Sequence, residues 1–479
     1  MTDASHFIST RGQAPRANFA QVLLAGLAPD GGLYMPAAWP QFSRDEIAAF
    51  AGKSYQHVAF EILSRFVGDA FRAAELKADI EAAYAGFEAP QPPPDWKQNE
   101  SRPRTIVPLS EIGQDTHLLE LFHGPTFAFK DVALQILGRL FARALKTRGG
   151  KATIVAATSG DTGSAAIAAL GGLENIEVFV LHPKGRVSDV QRRQMTTSPH
   201  ANVHNIALEG SFDDAQALVK GLFAETDFAN EIGLTAVNSI NFVRIAAQSV
   251  YYFTATAALG RPATFIVPTG NFGDVFAGEA AMRMGLPVER LVIATNQNDI
   301  MARALNDGVY AAGAAHHTLS PSMDIQVASN FERALFEASG RDAAWTASAM
   351  NDFARDKKLV LPPEVLADLR ARYSAFASDD AATLATIKRI HDATGQIIDP
   401  HTAVAAAAAA RLPQADSSPK VILSTAHAAK FPDAVTKAIG APPPVPPALA
   451  ALDKLPEKLD ILPNSLPLLR QFISSRLAE

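Results

Sequence analysis

Apolar positions recur along this chain with two different periods, and the change of period divides it. Near the N-terminus the spacing is helical: Phe19, Val22 and Leu23 share one face, as do Val58, Ile62 and Phe66. Ala28-Pro29-Asp30-Gly31-Gly32-Leu33-Tyr34-Met35-Pro36 interrupts these helices as a turn-rich segment. Pro90-Gln91-Pro92-Pro93-Pro94 continues neither a helix nor a central strand and so marks a boundary. A helical N-terminal domain over residues 1–95 is predicted.

From about residue 105, short apolar runs alternate with helical stripes. Ala133, Leu137, Leu140, Phe141 and Ala144 form one stripe of a helix over 131–146. Thr153–Ala157, Glu177–Leu181 and Asn202–Leu208 read as buried strands, each followed by a helix. Thr264–Val267, Leu291–Thr295 and Val421–Ser424 read as further strands followed by turn chemistry. Such alternation predicts an α/β protein with parallel sheets covered by helices on both faces. Two sheet domains are expected: a smaller one over 150–239, and a larger one over 96–149 and 240–479. Residues 331–398 read as a helical insertion, and 440–479 as an extended tail with a short terminal helix after Asn464. In open parallel sheets ligands bind beyond the carboxyl ends of the strands, where the conspicuous turns of this chain fall.

Composition sharpens the picture only in places. With 479 residues, 48% hydrophobic and 19% charged, the chain is a globular protein of two or three domains. A net charge of −6 with no basic block leaves no electrostatic footprint for nucleic acid. The alanine run 403–410 is too short to span a bilayer and predicts an interior helix. Cysteine is absent, which removes thiol nucleophiles and thiolate metal sites, and histidines lack close-spaced partners. The start, Met1-Thr2-Asp3-Ala4-Ser5-His6, lacks signal-peptide character, and a cytoplasmic location is expected.

The candidate chemistry centres on His123-Gly124-Pro125-Thr126-Phe127-Ala128-Phe129-Lys130-Asp131. An apolar turn delivers Lys130 onto the start of a helix. Burial and a helix N-terminus both disfavour the charged amine, and the free amine is the form that attacks a carbonyl. The segment alone equally fits a surface lysine beside a tight turn. Thr158-Ser159-Gly160-Asp161-Thr162-Gly163-Ser164 offers backbone N–H groups to a carboxylate, or simply a capped helix start. Val267-Pro268-Thr269-Gly270-Asn271-Phe272-Gly273-Asp274 offers a nest for a phosphate, or an ordinary strand-to-helix turn. Thr425 is a hydroxyl for a ring nitrogen, or a cap. Taken together these features supply the four groups that a pyridoxal-phosphate enzyme needs.

The chain resembles the threonine synthases, of the longer type with an N-terminal extension. The likeness runs through Ser9-Thr10-Arg11-Gly12, the 27–34 turn, the lysine segment and the Ser-Gly-Asp-Thr-Gly loop. It continues through His182-Pro183-Lys184-Gly185-Arg186-Val187-Ser188, Asn238-Ser239-Ile240-Asn241-Phe242-Val243-Arg244 and Gly270–Asp274, and ends in Thr425-Ala426-His427-Ala428-Ala429-Lys430-Phe431. Ala428 stands where family members often carry proline.

The resemblance implies a type II pyridoxal 5′-phosphate fold, similar to tryptophan synthase beta, and conversion of O-phospho-L-homoserine and water to L-threonine and phosphate. Lys130 would hold the cofactor, Gly270, Asn271, Phe272, Gly273 and Asp274 its phosphate, and Thr425 would face the pyridine nitrogen. Thr158, Ser159, Gly160, Asp161 and Thr162 would grip the substrate carboxylate. Lys184, Arg186, Asn241 and Arg244 are candidate substrate contacts, the three cations for the leaving phosphate. Asp274 also suits a helix cap, and neither His123 nor His427 is assigned as a base. Monomer and homodimer both occur in such a family. The competing activities are another type II lyase or deaminase acting on a hydroxy or phosphorylated amino acid, and a non-catalytic phosphate-ligand binder.

Overall fold

The computed structural model describes residues 3–87, 105–158, 160–235, 239–413 and 418–478. The proline-rich boundary at 90–94, Ser159 and Asn238 lie outside the described residues. A six-stranded sheet runs in the order Tyr373–Ala377, Val288–Thr295, Ala263–Pro268, Lys420–Ser424, Thr116–Glu120, Leu109–Gly113. All its pairings are parallel except the last, an antiparallel hairpin at the edge. A second sheet, parallel throughout, runs Asp460–Pro463, Val203–Glu209, Ile176–Pro183, Ala152–Ala157, Leu234–Thr235. Every residue of Ala263–Pro268 is buried, as expected for a parallel strand covered on both faces.

Two long helices occupy the centre. Phe242–Leu259 is buried around most of its circumference, and so is much of Lys130–Arg148. The latter packs beside Asp161–Leu170. The approach is close at Gly138, where a Cβ would stand 2.5 Å from the Ala169 carbonyl oxygen. The alanine-rich Pro400–Ala409 helix is an interior one, sharing an apolar cluster with Ile266, Val292 and Ile422.

Three features differ from the sequence expectation. The N-terminal unit is not purely helical: His6–Ser9 pairs antiparallel with Ala17–Asn18 and with Tyr34–Pro36. Strands this short leave too few alternations to register as a period. The 331–398 segment is not simply a helical layer, because Tyr373–Ala377 pairs parallel with Val288–Thr295 and forms the edge of the larger sheet. The tail does not stay with that sheet. Asp460–Pro463 pairs parallel with Val203–Glu209, and Leu469 and Ile473 of the Leu466–Ala478 helix join Leu218 and Leu222 in the core of the smaller one. The apolar face of Phe212–Ala224 needs a cover, and the tail supplies it.

Leu469 is buried in that cluster. Leu469→Ala is expected to destabilise the protein by about 2–5 kcal/mol. Hydrogen exchange should quicken in Val203–Glu209 and stay slow in Ala263–Pro268. Equal loss of protection in both strands would contradict the placement of the tail.

Candidate active site

The turn before Lys130 is held in place by its neighbour strand end. Phe127 takes a left-handed backbone, φ 58°. The Phe129 amide donates to the Thr425 carbonyl at 2.8 Å, and the His427 amide donates to the Phe127 carbonyl at 3.0 Å. Residues 127–129 thus run antiparallel to 425–427, and Lys130 begins its helix beside the end of Lys420–Ser424. Asp131 closes the turn by accepting from the amide and the hydroxyl of Thr126, each at 2.7 Å.

The Lys130 nitrogen is buried, 4.8 Å from the centre of the Phe129 ring and 3.5 Å from Asp161 Oδ2. Burial lowers its pKa; Asp161 opposes this, while Lys430 and Arg244 lower it further. The net effect favours the free amine. Asp161 is the first residue of the Asp161–Leu170 helix. Its Oδ1 accepts from Lys430 Nζ at 2.8 Å and Gln191 Nε2 at 3.0 Å, and Ser322 Oγ lies 3.4 Å from Oδ2. Burial works against this carboxylate, yet Lys430 and Lys130 hold it well below the usual carboxylate range.

A second turn follows Ala263–Pro268. Phe272 caps the Gly273–Arg283 helix in the left-handed conformation, φ 65°. The turn is closely enclosed: a Cβ on Gly270 would stand 2.7 Å from the Ser322 carbonyl oxygen. Such a turn at a helix N-terminus receives anions. Asp274 lies just inside the helix, and its Oδ1 accepts from the hydroxyls of Tyr251 and Tyr252. Burial raises its pKa to about 7, with the two tyrosines, Lys130 and Arg244 acting in the other direction. Its Oδ2 has no partner among the described residues. Nor have the Nε and one terminal nitrogen of Arg244, whose burial lowers its pKa to about 10 despite Tyr251 and Asp274. A buried guanidinium without a carboxylate is costly unless an anion meets it. A buried lysine of lowered pKa and an enclosed anion-receptive turn fit a cofactor that carries an aldehyde and a phosphate.

The other candidates divide. Thr158 is buried, and its hydroxyl accepts from the amides of Gly160 at 3.0 Å and Gly163 at 2.9 Å, which shapes the loop. Gly160, φ 134°, caps the helix. Ser159 lies outside the described residues, and Thr162 is half-buried at the helix start. Thr425 is buried beside the lysine turn. Lys184 and Arg186 are exposed, and Lys184 pairs with Glu209 at 3.1 Å. The Asn241 side chain is committed elsewhere: it caps Phe242–Leu259 and donates to the Leu23 carbonyl at 2.8 Å. His123 pairs with Glu120 at 2.7 Å, and the His427 ring accepts from the Ala429 amide at 3.1 Å. Three groups at the site were unassigned from sequence: Lys430, Gln191 and Ser322. A lysine inside Ala428-Ala429-Lys430-Phe431-Pro432 was a signal for the first; the other two carry none.

Two sheets meeting at a buried lysine, with anion-receptive turns at their strand ends, define a pyridoxal-phosphate-dependent enzyme. Residues 105–373 match the family described as pyridoxal-phosphate dependent enzyme, and the flanks 6–84 and 402–473 match the threonine synthase N terminus and C-terminal families. Threonine synthase of Pseudomonas aeruginosa is 46% identical over 472 residues, covering 98% of each chain. The crystal structure of pyridoxal-phosphate-bound threonine synthase from Brucella melitensis superposes with a TM-score of 0.93 at 46% identity, covering 98% of this chain and 99% of that one. The yeast threonine synthase structure gives 0.91 at 35% identity over the whole of both chains. The chain belongs to the threonine synthase family.

Asp274 has a value of about 7 in the fold against 3.8 as an ordinary aspartate, so folding favours its protonated form. That contribution to stability is complete below about pH 4 and is lost as pH rises through about 7. Asp274→Asn removes the titration. Thermal melts of the cofactor-free variant should lack this part of the wild-type decline; parallel curves for the two proteins would exclude the raised value.

Proposed function

We infer that this chain converts O-phospho-L-homoserine and water to L-threonine and phosphate, with pyridoxal phosphate held at Lys130. The observation that carries the reading is the buried Lys130 amine, its pKa lowered by burial, at the junction of the two sheets in a chain of this family. Bound pyridoxal phosphate supplies an aldehyde for an amine and a ring that withdraws electrons from the substrate. The turn at 270–273 suits the cofactor phosphate through its backbone N–H groups. The Thr425 hydroxyl suits the ring nitrogen, where it would not hold a proton as a carboxylate would.

With the cofactor carrying the substrate, the Lys130 Nζ would be placed to take the proton from Cα. The backbone N–H groups of Asp161 and Thr162 at the helix start would receive the substrate carboxylate, in a loop shaped by the Thr158 hydroxyl; the amides of Thr158 and Gly160 are taken up by the Leu181 carbonyl and the Thr158 hydroxyl. The Asp161 side chain is directed to the lysines instead. Overall the reaction would take a proton from Cα and from Cβ, release phosphate from Cγ, return a proton to Cγ, add the hydroxyl of water at Cβ and return a proton to Cα, which gives threonine. Arg244 is the cation assigned to the departing phosphate, since it is buried and two of its guanidinium nitrogens have no partner among the described residues. Lys184, Arg186 and Asn241 are left out of this assignment, the first two by exposure and the third by its capping bonds. A deaminase acting on serine or threonine brings one anion, the carboxylate. Phosphohomoserine brings two, which agrees better with a spare buried arginine.

Incubation with O-phospho-L-homoserine should release phosphate and threonine in equal amounts; ammonia and a 2-oxo acid would instead identify a deaminase. Lys130→Ala should lose the visible absorbance of the bound cofactor, and a borohydride-reducible band retained in that variant would reject the lysine assignment. Arg244→Met should raise KM by roughly tenfold or more while cofactor remains bound, whereas Arg186→Ala should leave KM near wild type. The opposite ranking would move the phosphate site to the exposed cation.

A further inference from the structure

Lys430 is completely buried. It closes the short turn Ala428–Lys430 that follows Thr425. Fully buried lysines are rare and costly without a partner, so a purely packing role would be served better by an apolar side chain. Its nitrogen makes two directed contacts: one to Asp161 Oδ1 at 2.8 Å and one to the Thr126 carbonyl oxygen at 2.7 Å. Both partners bear on Lys130. Asp161 is the carboxylate facing the Lys130 nitrogen, and Thr126 belongs to the turn that delivers it.

The two lysines therefore compete for a single carboxylate, and the geometry is unequal. Lys430 sits at hydrogen-bond distance, whereas Lys130 stands off at 3.5 Å. Gln191 Nε2 shares Oδ1 with Lys430, which fixes the carboxylate in that orientation. Around Lys130 the charged groups are Asp161 from the Asp161–Leu170 helix, Lys430, Arg244 from Phe242–Leu259 and Asp274 from Gly273–Arg283. Lys430 faces Asp161, Lys130, Asp131 and His427.

We propose that Lys430 is a positioning residue that takes up the Asp161 carboxylate and so leaves the Lys130 nitrogen free of its proton. The proposal rests on Lys130 being the cofactor lysine. With Lys430 present, Asp161 is anchored and its charge largely answered. With Lys430 removed, the same carboxylate turns to Lys130 and retains a proton on its nitrogen. In this role Lys430 need touch neither substrate nor cofactor. It acts through Asp161.

The test is a spectrophotometric pH titration of the cofactor-loaded enzyme, following the visible band of the lysine-bound cofactor across roughly pH 6–10. Lys430→Met should move the midpoint upward by about one unit or more, the size of shift expected when a buried carboxylate gains a new cation. Lys430→Arg keeps a cation for Asp161 and should titrate near wild type. Asp161→Asn removes the competing charge and should move the midpoint downward. A midpoint in Lys430→Met at or below that of wild type overturns the proposal. So does an upward shift in Asp161→Asn, which decides the matter if Lys430→Met does not fold. A wild-type protein without any visible band rejects the cofactor-lysine reading itself, an outcome separate from an unshifted midpoint.

Discussion

The site depends on one buried carboxylate shared unequally between two lysines. At an effective dielectric of about 20, unit charges about 4 Å apart interact by roughly 4 kcal/mol. Taking a charge out of water costs several kcal/mol per ion. One carboxylate therefore answers one buried lysine better than two. Asp161 contacts Lys430 closely and Lys130 loosely, so its charge is given chiefly to Lys430, while burial shifts Lys130 toward its neutral form. Burial without this asymmetry would put Lys130 into an ordinary salt bridge, which is chemically inert toward a carbonyl.

The asymmetry is set by helix packing. Lys130 and Asp161 each begin a helix, and those helices lie side by side. Gly138 controls their separation, because any larger residue would push against the Ala169 carbonyl. Lys430 comes from the turn after a central strand of the other sheet, fastened to the lysine turn by the bonds between residues 127–129 and 425–427. Asp161 thus sits on the smaller sheet's side of the junction and both lysines on the larger sheet's side. The sheet order explains why three distant segments converge. Ala263–Pro268 and Lys420–Ser424 are neighbours, Thr116–Glu120 lies beside the second, and all three end at the same edge.

Much of this was legible because central parallel strands are apolar throughout and end in recognisable turns. Thr153–Ala157, Thr264–Val267 and Val421–Ser424 stand out as continuous runs, and Lys130 stands out as a lysine among phenylalanines. The edge strands did not. Asp460–Pro463 is four residues with alternating burial, and Tyr373–Ala377 follows a helix without a break, so neither carries a period long enough to read. Side-chain direction was the other loss. Lys184 and Arg186 do lie just beyond a strand end, yet that position alone does not aim a side chain inward, and both are exposed. Asn241 was expected among the substrate contacts, but the helix after it has first claim on its side chain. Ser322 reaches the site from a segment with no periodic pattern, held by Asn296 and Asn298 through Asp324.

The charge balance of the finished site bears on what it accepts. Lys430 and Asp161 answer each other, Asp274 is drawn toward neutrality, and Lys130 is driven toward the amine. That leaves Arg244 as a buried cation with its Nε and one terminal nitrogen unpartnered among the described residues. A guanidinium in that position costs stability until an anion arrives, and Asp274 beside it, pushed up to about 7, answers it only in part. The same burial that lowers the Lys130 pKa therefore also weakens the charge offered to Arg244. Burial acts on the nucleophile and on the anion receptor alike: it favours an amine at Lys130 that can react with an aldehyde, and it leaves Arg244 placed to meet a phosphate.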